Sequence, residues 1–266
     1  MKRPRVLAVL FLGLVTLSSL LAGVLAPAPY AKQFREAPDA VSSQRHPLGT
    51  DDLGRDRLSR LLYGTRVSLL LAPAAALLTA ILAAFVGGTA GFAGGWVEDL
   101  VMSATDLFLS LPWLFLLMTV RALLPLNVAP LTSVVITFAL LGFLGWAGAA
   151  RVVCADARKL CNSDFILQAR ASGSAGIRLL THHLLPNLRP VLLAQFWISI
   201  PVFILTETNL SILGLGVAEP LPSWGSLLRE LGSFSMLSAK PWQFAPLVLL
   251  IATVSCFHIA MQREEA

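Results

Sequence analysis

The run LTSVVITFALLGFLGWAGAA occupies Leu131–Ala150, contains no charged residue and is closed by Arg151. About 20 consecutive apolar residues are enough for a helix to cross the hydrocarbon core of a bilayer. This stretch therefore predicts a transmembrane helix, and the rest of the sequence can be tested for others like it.

Five further runs satisfy the same criterion. They are Val6–Leu25, Val67–Gly91, Leu100–Val120, Val191–Leu213 and Trp242–Met261. The sequence thus predicts an all-α, polytopic membrane protein with six transmembrane helices. We expect an N-terminal helix within residues 1–30, an extracytoplasmic segment at 31–66, a five-helix core at 67–261 and a short tail at 262–266.

The composition agrees with lipid as the main solvent. The chain is 56% hydrophobic and only 13% charged, whereas soluble domains have about 25% charged residues. In such a protein the net charge of +5 marks cytoplasmic loops and contacts with anionic lipid. We therefore predict membrane lipid as a partner and no nucleic-acid binding.

The first run competes with a signal-peptide interpretation, because a basic start precedes an apolar stretch and small residues. Its length of about 20 residues exceeds the 7–15 typical of signal peptides, so we favour a retained helix. With the N-terminus inside, ten Lys and Arg residues fall on each side of the membrane. The basic N-terminus and the compact basic loop at 151–189 favour cytoplasmic N- and C-termini.

Small residues recur every four positions along the second predicted span. Ala72, Ala76, Ala80, Ala84 and Gly88 form one row, and Gly87, Gly91 and Gly95 form a second beside it. Small side chains let two helix backbones approach closely in lipid. The pattern predicts a close crossing, either within the subunit or with a second chain.

The polar segment 151–189 is too long to be a simple connector between two spans. It predicts a helix over Arg151–Leu160, a break at Cys161–Ser163 and a helix over Asp164–Ser172 with Phe165, Ala169 and Ser172 on one face. Gly173 and Gly176 interrupt that helix. A further helix over Ile177–Leu185 ends at Pro186-Asn187.

This segment resembles the EAA loop of binding-protein-dependent ABC permeases. The family pattern is E-A-A-x-x-x-G, followed after nine residues by I-x-L-P. Ala169, Gly173 and Pro186 match it, whereas Leu167 takes the Glu position and Gln168 the first Ala position.

Two further stretches resemble C-type permeases of the dipeptide, oligopeptide and nickel family. The first is HPLGTDDLGRD at 46–56, with Ser59-Arg60, Tyr63-Gly64 and Arg66 after it. The second is LSILGLG at 210–216, followed by Pro220 and PSWG at 222–225. The likeness covers residues 46–245 and implies the core of a type I, MetI-like ABC importer.

The resemblance implies a coupling helix seated in a cleft of one of two separate ATPase subunits. Its residues would be Phe165, Gln168, Ala169, Arg170, Ala171, Ser172, Gly173, Ser174 and Ala175, with Pro186 fixing the return to the membrane. The chain has no GxxxxGK[ST] motif, so ATP would be used by the partners. We predict no catalytic site, metal site or cofactor on this chain, a second permease subunit beside it and an extracytoplasmic solute-binding protein.

Two features outside this segment remain open at the sequence level. Glu207, the one ionisable residue well inside a span, either lines the translocation pathway with Pro201 or hydrogen-bonds near the outer interface. The charged stretch Arg55–Arg66 with Asp51, Asp52 and Asp56 either docks a binding protein or forms an amphipathic segment on the outer membrane face. Leu53, Leu58, Leu61 and Leu62 favour the second interpretation of that stretch.

The cargo is the least determined feature. Peptides come first by resemblance, followed by nickel chelates or other small solutes. A secondary transporter would be expected to show inverted repeats and paired midplane charges, which the sequence lacks. A non-transporting scaffold would not need a glycine-ended cytoplasmic helix.

Overall fold

The computed structural model describes residues 2–125, 128–232 and 241–261; most of these residues are helical, residues 26–56 contain no helix, and no β-strand lies among them. The helices are α1 (Lys2–Leu20), α2 (Ala22–Leu25), α3 (Arg57–Ala93), α4 (Gly95–Ser110), α5 (Trp113–Leu123), α6 (Pro130–Leu144), α7 (Trp146–Cys161), α8 (Asp164–Ala171), α9 (Gly176–Leu179), α10 (Leu185–Asn187), α11 (Arg189–Ile212), α12 (Trp224–Arg229) and α13 (Ala245–Met261). A π turn spans Leu180–Leu184, and 3₁₀ turns span Glu230–Gly232 and Pro241–Phe244.

The number of apolar spans agrees with the sequence-based prediction. Five helical segments of the described chain are long and apolar enough to cross a membrane, and α4 with α5 makes a sixth if that bent pair counts as one span. The five are Arg3–Leu20, Arg57–Ala93, Pro130–Cys161, Arg189–Ile212 and Pro241–Met261. This confirms the all-α, multi-spanning fold class.

The predicted third span, Leu100–Val120, is divided into two helices. α4 and α5 meet at Leu111-Pro112 with an angle of 82° between them. Leu111 is extended, at φ −77° and ψ 132°. A proline disfavours helical geometry in the residue before it and lacks the N–H that would continue the helix, so Pro112 accounts for the break.

Contacts divide the chain into two compact units. One comprises residues 1–72, 124–137 and 204–266, and within it α1 packs against α13. The other comprises residues 73–123 and 138–203, and within it α4 packs against α7. The core of the second unit is built from small and branched side chains, namely Ala83, Ala149, Ala150, Val153, Ala157, Cys161, Leu180, Leu184 and Leu188.

The glycine row on α3 makes a close crossing inside the second unit. A side chain at Gly87 would fall against the carbonyl oxygen of Ala150 on α7. One at Gly91 would lie 2.5 Å from the carbonyl oxygen of Cys154, a turn further along α7. Gly87 and Gly91 therefore make a close crossing within the subunit, whereas a contact of the Ala72–Gly88 row with a second chain stays a prediction.

Candidate functional site

The helix α8 begins where the sequence predicted, directly after the break at residues 161–163. Ser163 is extended, and its carbonyl accepts the backbone N–H groups of Ile166 and Leu167 at 3.1 Å each. Asp164 stands in the first turn, where a carboxylate is favoured by the partial positive charge of a helix N-terminus. A polar sequence thus forms a short helix with a defined start.

The end of α8 is a Schellman motif centred on Gly173. Ser174 donates its N–H to the carbonyl of Ala169, and Gly173 donates to Arg170, both at 3.0 Å. Gly173 has φ +86°, in the left-handed region that favours glycine. Gly176, the first residue of α9, is also left-handed, at φ +53°.

One side chain anchors this short helix while the others face outward. Ile166 is 1% exposed, whereas Phe165, Leu167, Gln168 and Arg170 are exposed. Exposed residues continue through Ala171–Gly173, and Ala169 is half-buried. Ile166 was not among the predicted site residues, although it is the apolar residue that holds the helix to the rest of its unit.

Phe165 and Gln168–Ala175 therefore form one continuous projection. We call residues Asp164–Ala175 the candidate coupling segment. The structure brings these predicted residues together and exposes most of them. That they contact an ATPase stays a prediction.

Pro186, the last predicted member of the set, lies in α10, one residue before that helix ends at Asn187. The π turn over Leu180–Leu184 comes immediately before it, and the N–H of Leu185 donates to the carbonyl of Leu180. Proline clashes with the carbonyl four residues back, and a wider turn gives that carbonyl room. α10 ends at Asn187, Leu188 separates it from α11, and α11 begins at Arg189, so the bounds of α10 agree with the predicted helix end at Pro186-Asn187.

Glu207 lies in a closed polar cluster of the first unit. Its side chain is fully buried, and its Oε1 accepts the hydroxyls of Ser211 at 2.6 Å and Ser223 at 2.7 Å. Ser211 is one turn further along α11, whereas Ser223 caps α12. The carboxylate therefore ties the end of α11 to the start of α12. Pro201 is buried within α11, and a place for either residue on a translocation pathway stays a prediction.

The α12 helix that Glu207 holds is also fixed from α3. Trp224 is fully buried, and its indole Nε1 donates to Thr65 Oγ1 at 2.9 Å. Its backbone N–H donates to Ser68 Oγ at 3.3 Å. A side chain on Gly225 would lie 2.5 Å from Ser211 Cβ, so glycine is required where α12 meets α11.

Four charged residues of the stretch before the second span are buried, namely Asp51, Arg55, Asp56 and Arg60, whereas Asp52 and Arg66 are exposed. That the stretch lies on the outer membrane face or docks a binding protein stays a prediction. Asp51 and Arg55 are at most 3% exposed, and Arg55 Nε donates to Asp51 Oδ2 at 2.6 Å. Arg60 is fully buried, with its Nε 3.6 Å from the same oxygen. Leu58, Leu61 and Leu62 are only half-buried, so charged residues rather than leucines form the packed side.

This cluster joins two distant parts of the sequence. Arg55 Nη1 contacts Glu219 at 2.8 Å, and Glu230 contacts Arg60 at 2.9 Å and Arg57 at 3.2 Å. Burial raises the pKa of the Glu230 carboxyl, while Arg60 and Arg57 act in the opposite direction. The sequence alone did not predict that arginines in the stretch 51–60 pair with Glu219 and Glu230. The available signal was that both stretches concentrate charge in a chain otherwise poor in it.

Asp56 belongs to a neighbouring arrangement that starts α3. It accepts the N–H of Ser59 at 2.8 Å and the Ser59 hydroxyl at 2.7 Å. Its other oxygen lies 2.9 Å from His46 Nδ1. Asp56 is therefore the N-cap of the long helix, and His46 fixes the preceding loop to that cap.

Comparison with known proteins gives a consistent picture. Residues 76–263 match the family described as the binding-protein-dependent transport system inner membrane component. A dipeptide transport system permease protein, DppC, of Bacillus subtilis is 30% identical over 88% of this chain and 72% of its own length. The oligopeptide transport system permease protein OppC of Bacillus subtilis is 32% identical over 83% and 70%, respectively. OppC of Escherichia coli K12 is 32% identical over 96% and 83%.

Proposed function

Because the chain belongs to the family of inner-membrane components of binding-protein-dependent transport systems, as its motifs predicted, we propose that it carries peptides across the membrane on energy from separate ATPases. It is a multi-pass inner-membrane permease subunit of an ABC importer and works with other subunits. The proposal adds the cargo, the particular partners, the orientation and the coupling residues.

The candidate coupling segment is the observation that carries the proposal. An exposed eight-residue helix with a fixed start, a glycine-ended C-terminus and one buried anchor is a rigid projection. Such a projection can transmit force, because its C-terminus continues through Gly176 and the π turn into α11. ATP-driven closure of two ATPases would move two such segments together and tilt the attached spans.

Peptides are proposed as cargo because DppC and OppC are named for dipeptide and oligopeptide transport. The proposed complex contains this chain, a second permease subunit, two ATPase subunits and an extracytoplasmic solute-binding protein. ATP would bind to the ATPase subunits, and this chain would supply one half of the pathway.

In the proposed orientation both termini and the candidate coupling segment face the cytoplasm. Ser172 is exposed, and a cysteine in its place would report on the cytoplasmic side of the membrane. Asp52 is also exposed and falls on the extracytoplasmic side in the proposed orientation, so Asp52→Cys is the matched control. A membrane-impermeant maleimide should label Ser172→Cys only in inside-out vesicles and Asp52→Cys only in right-side-out vesicles. The reverse pattern would contradict the orientation.

The function is tested by purifying the tagged chain from its native membrane in mild detergent and reconstituting the complex. We expect an ATP-hydrolysing subunit to co-purify, and radiolabelled trialanine to enter proteoliposomes only with ATP and the binding protein present. Uptake driven by a proton gradient without ATP would refute the proposal.

A further inference from the structure

A polar cavity of about 430 Å³ lies in the first unit, between the end of α11 and α12. Its walls include Ser211, Gly214, Glu219, Ser226, Arg229 and Glu230. A cavity of this size with charged walls can hold part of a small polar solute.

The two carboxylates in the cavity wall already have cationic partners. Glu219 is paired with Arg55 at 2.8 Å. Glu230 is paired with Arg60 at 2.9 Å and with Arg57 at 3.2 Å. Neither acid therefore leaves a free negative charge for a cationic ligand.

The hydroxyl groups in the wall are also engaged. Ser211 Oγ donates to Glu207, and Ser226 Oγ exchanges hydrogen bonds with Ser223 in the cap of α12. Ligand recognition in this cavity therefore depends on the remaining charged side chain.

That side chain is Arg229, the last residue of α12. It is exposed, and within residues 2–125, 128–232 and 241–261 it makes no ion pair. Gly214, at φ +81°, lies beside it, and a side chain there would be 3.8 Å from Arg229 Nη1. The glycine thus leaves the guanidinium open to the cavity.

The unpaired guanidinium points to the ligand. Of the three charged side chains in the cavity wall, Glu219 and Glu230 are paired with arginines, whereas Arg229 has no ion pair among the described residues. An arginine guanidinium matches a carboxylate with two parallel hydrogen bonds. We propose that Arg229 binds the carboxylate of the transported solute, which for a peptide is its free C-terminus.

This inference rests on the proposed peptide transport and assigns it a specificity residue. The test compares uptake of trialanine with uptake of trialanine amide, which differs only in lacking the terminal charge. Both substrates are measured in the complete transporter carrying wild-type chain, Arg229→Gln or Arg229→Lys. Arg35→Gln, another exposed arginine of the same unit, is the matched control.

We expect Arg229→Gln to raise the KM for trialanine about tenfold, the size of one charged hydrogen bond at a partly exposed site. The KM for the amide should stay unchanged, and Arg229→Lys should restore part of the preference. Arg35→Gln should behave as wild type. Because the binding protein is the same throughout, a change in the ratio of the two KM values reports on the permease alone.

Three results would overturn the inference. The ratio of the two KM values could be identical in wild type and Arg229→Gln. Arg229→Gln could impair both substrates equally, which would indicate a contact with a docking protein or a structural role. Finally, wild-type chain could transport neither peptide, in which case the proposed function fails as well.

Discussion

The backbone N–H of Ser174 donates to the carbonyl of Ala169 at 3.0 Å, so that the chain reverses around Gly173 at the tip of the candidate coupling segment. Among the residues that the structure describes, no atom beyond Gly173 and its two chain neighbours lies within 4 Å of a side chain placed at Gly173. Any effect of substitution there therefore comes from backbone strain or from a partner, not from crowding within the subunit.

Gly173→Val should lower ATP-driven uptake, while Gly173→Asn retains most of it. A left-handed conformation costs an ordinary residue about 1–2 kcal/mol and costs asparagine less. Uptake and peptide-stimulated ATP hydrolysis are measured in the same proteoliposomes. Gly13→Ala, which also has open space around it but no positive φ, is the control. Equal uptake by the Val and Asn variants would contradict the role of the turn.

Two adjacent glycines on α3 should respond differently to alanine. At Gly87 the new methyl would collide with the Ala150 carbonyl, whereas at Gly88 the nearest atoms, on Leu188 and Leu185, are 3.8 and 3.9 Å away. Overpacking a close crossing costs about 1–3 kcal/mol. Gly87→Ala should therefore lower the melting temperature of the purified protein and Gly88→Ala should not. The opposite order would show that α3 does not cross α7 at this point.

Apolar length and helix-ending residues were enough to predict the positions of the spans, apart from the bend at Pro112, and the start and end of α8, because those features depend on local rules. Apolar length defines a span, and the Gly173 position follows from the need for a left-handed residue after a helix. The burial of Asp51 and Arg55 was not predictable in this way. It depends on Glu219 and Glu230, more than 150 positions later, which are brought near only by the tertiary fold.

Pro112 and Pro186 also show that local sequence alone does not determine the structure, here within a single segment of the chain. Both prolines interrupt regular hydrogen bonding. Pro112 lies at an 82° bend between two helices, whereas Pro186 follows a π turn and lies within a helix. Which outcome occurs is decided by packing around the helix. Leu180, Leu184 and Leu188 are buried in the core of the second unit, which keeps the segment around Pro186 helical.

Asp51→Asn should destabilise the first unit strongly, because it leaves Arg55 and Arg60 buried without their shared carboxylate. Removing one member of a buried ion pair costs about 3–5 kcal/mol. Asp52→Asn is the matched control, because Asp52 is next to Asp51 in the sequence but its side chain is exposed. Thermal unfolding of the detergent-purified protein should separate the two variants. Identical melting temperatures would show that the cluster does not support the fold.

Glu207→Ala should loosen the junction of α11 and α12. Ser211 and Ser223 would both lose their acceptor, at a cost of about 1–3 kcal/mol for buried hydroxyl groups left unpaired. The measurement is protease resistance of the purified protein, with exposed Asn209→Ala on the same helix as control. If the Glu207 variant kept full resistance but lost uptake, a role on the pathway would be favoured over the tie between helices.

The most direct test of the account is photo-crosslinking from position 168, whose side chain is exposed on the candidate coupling segment. Gln168 is replaced by a benzophenone-bearing amino acid, and intact membranes are illuminated with and without ATP. We predict a covalent adduct with an ATP-hydrolysing subunit. Adducts with lipid alone, under conditions where the same chain still transports solute, would contradict the central claim.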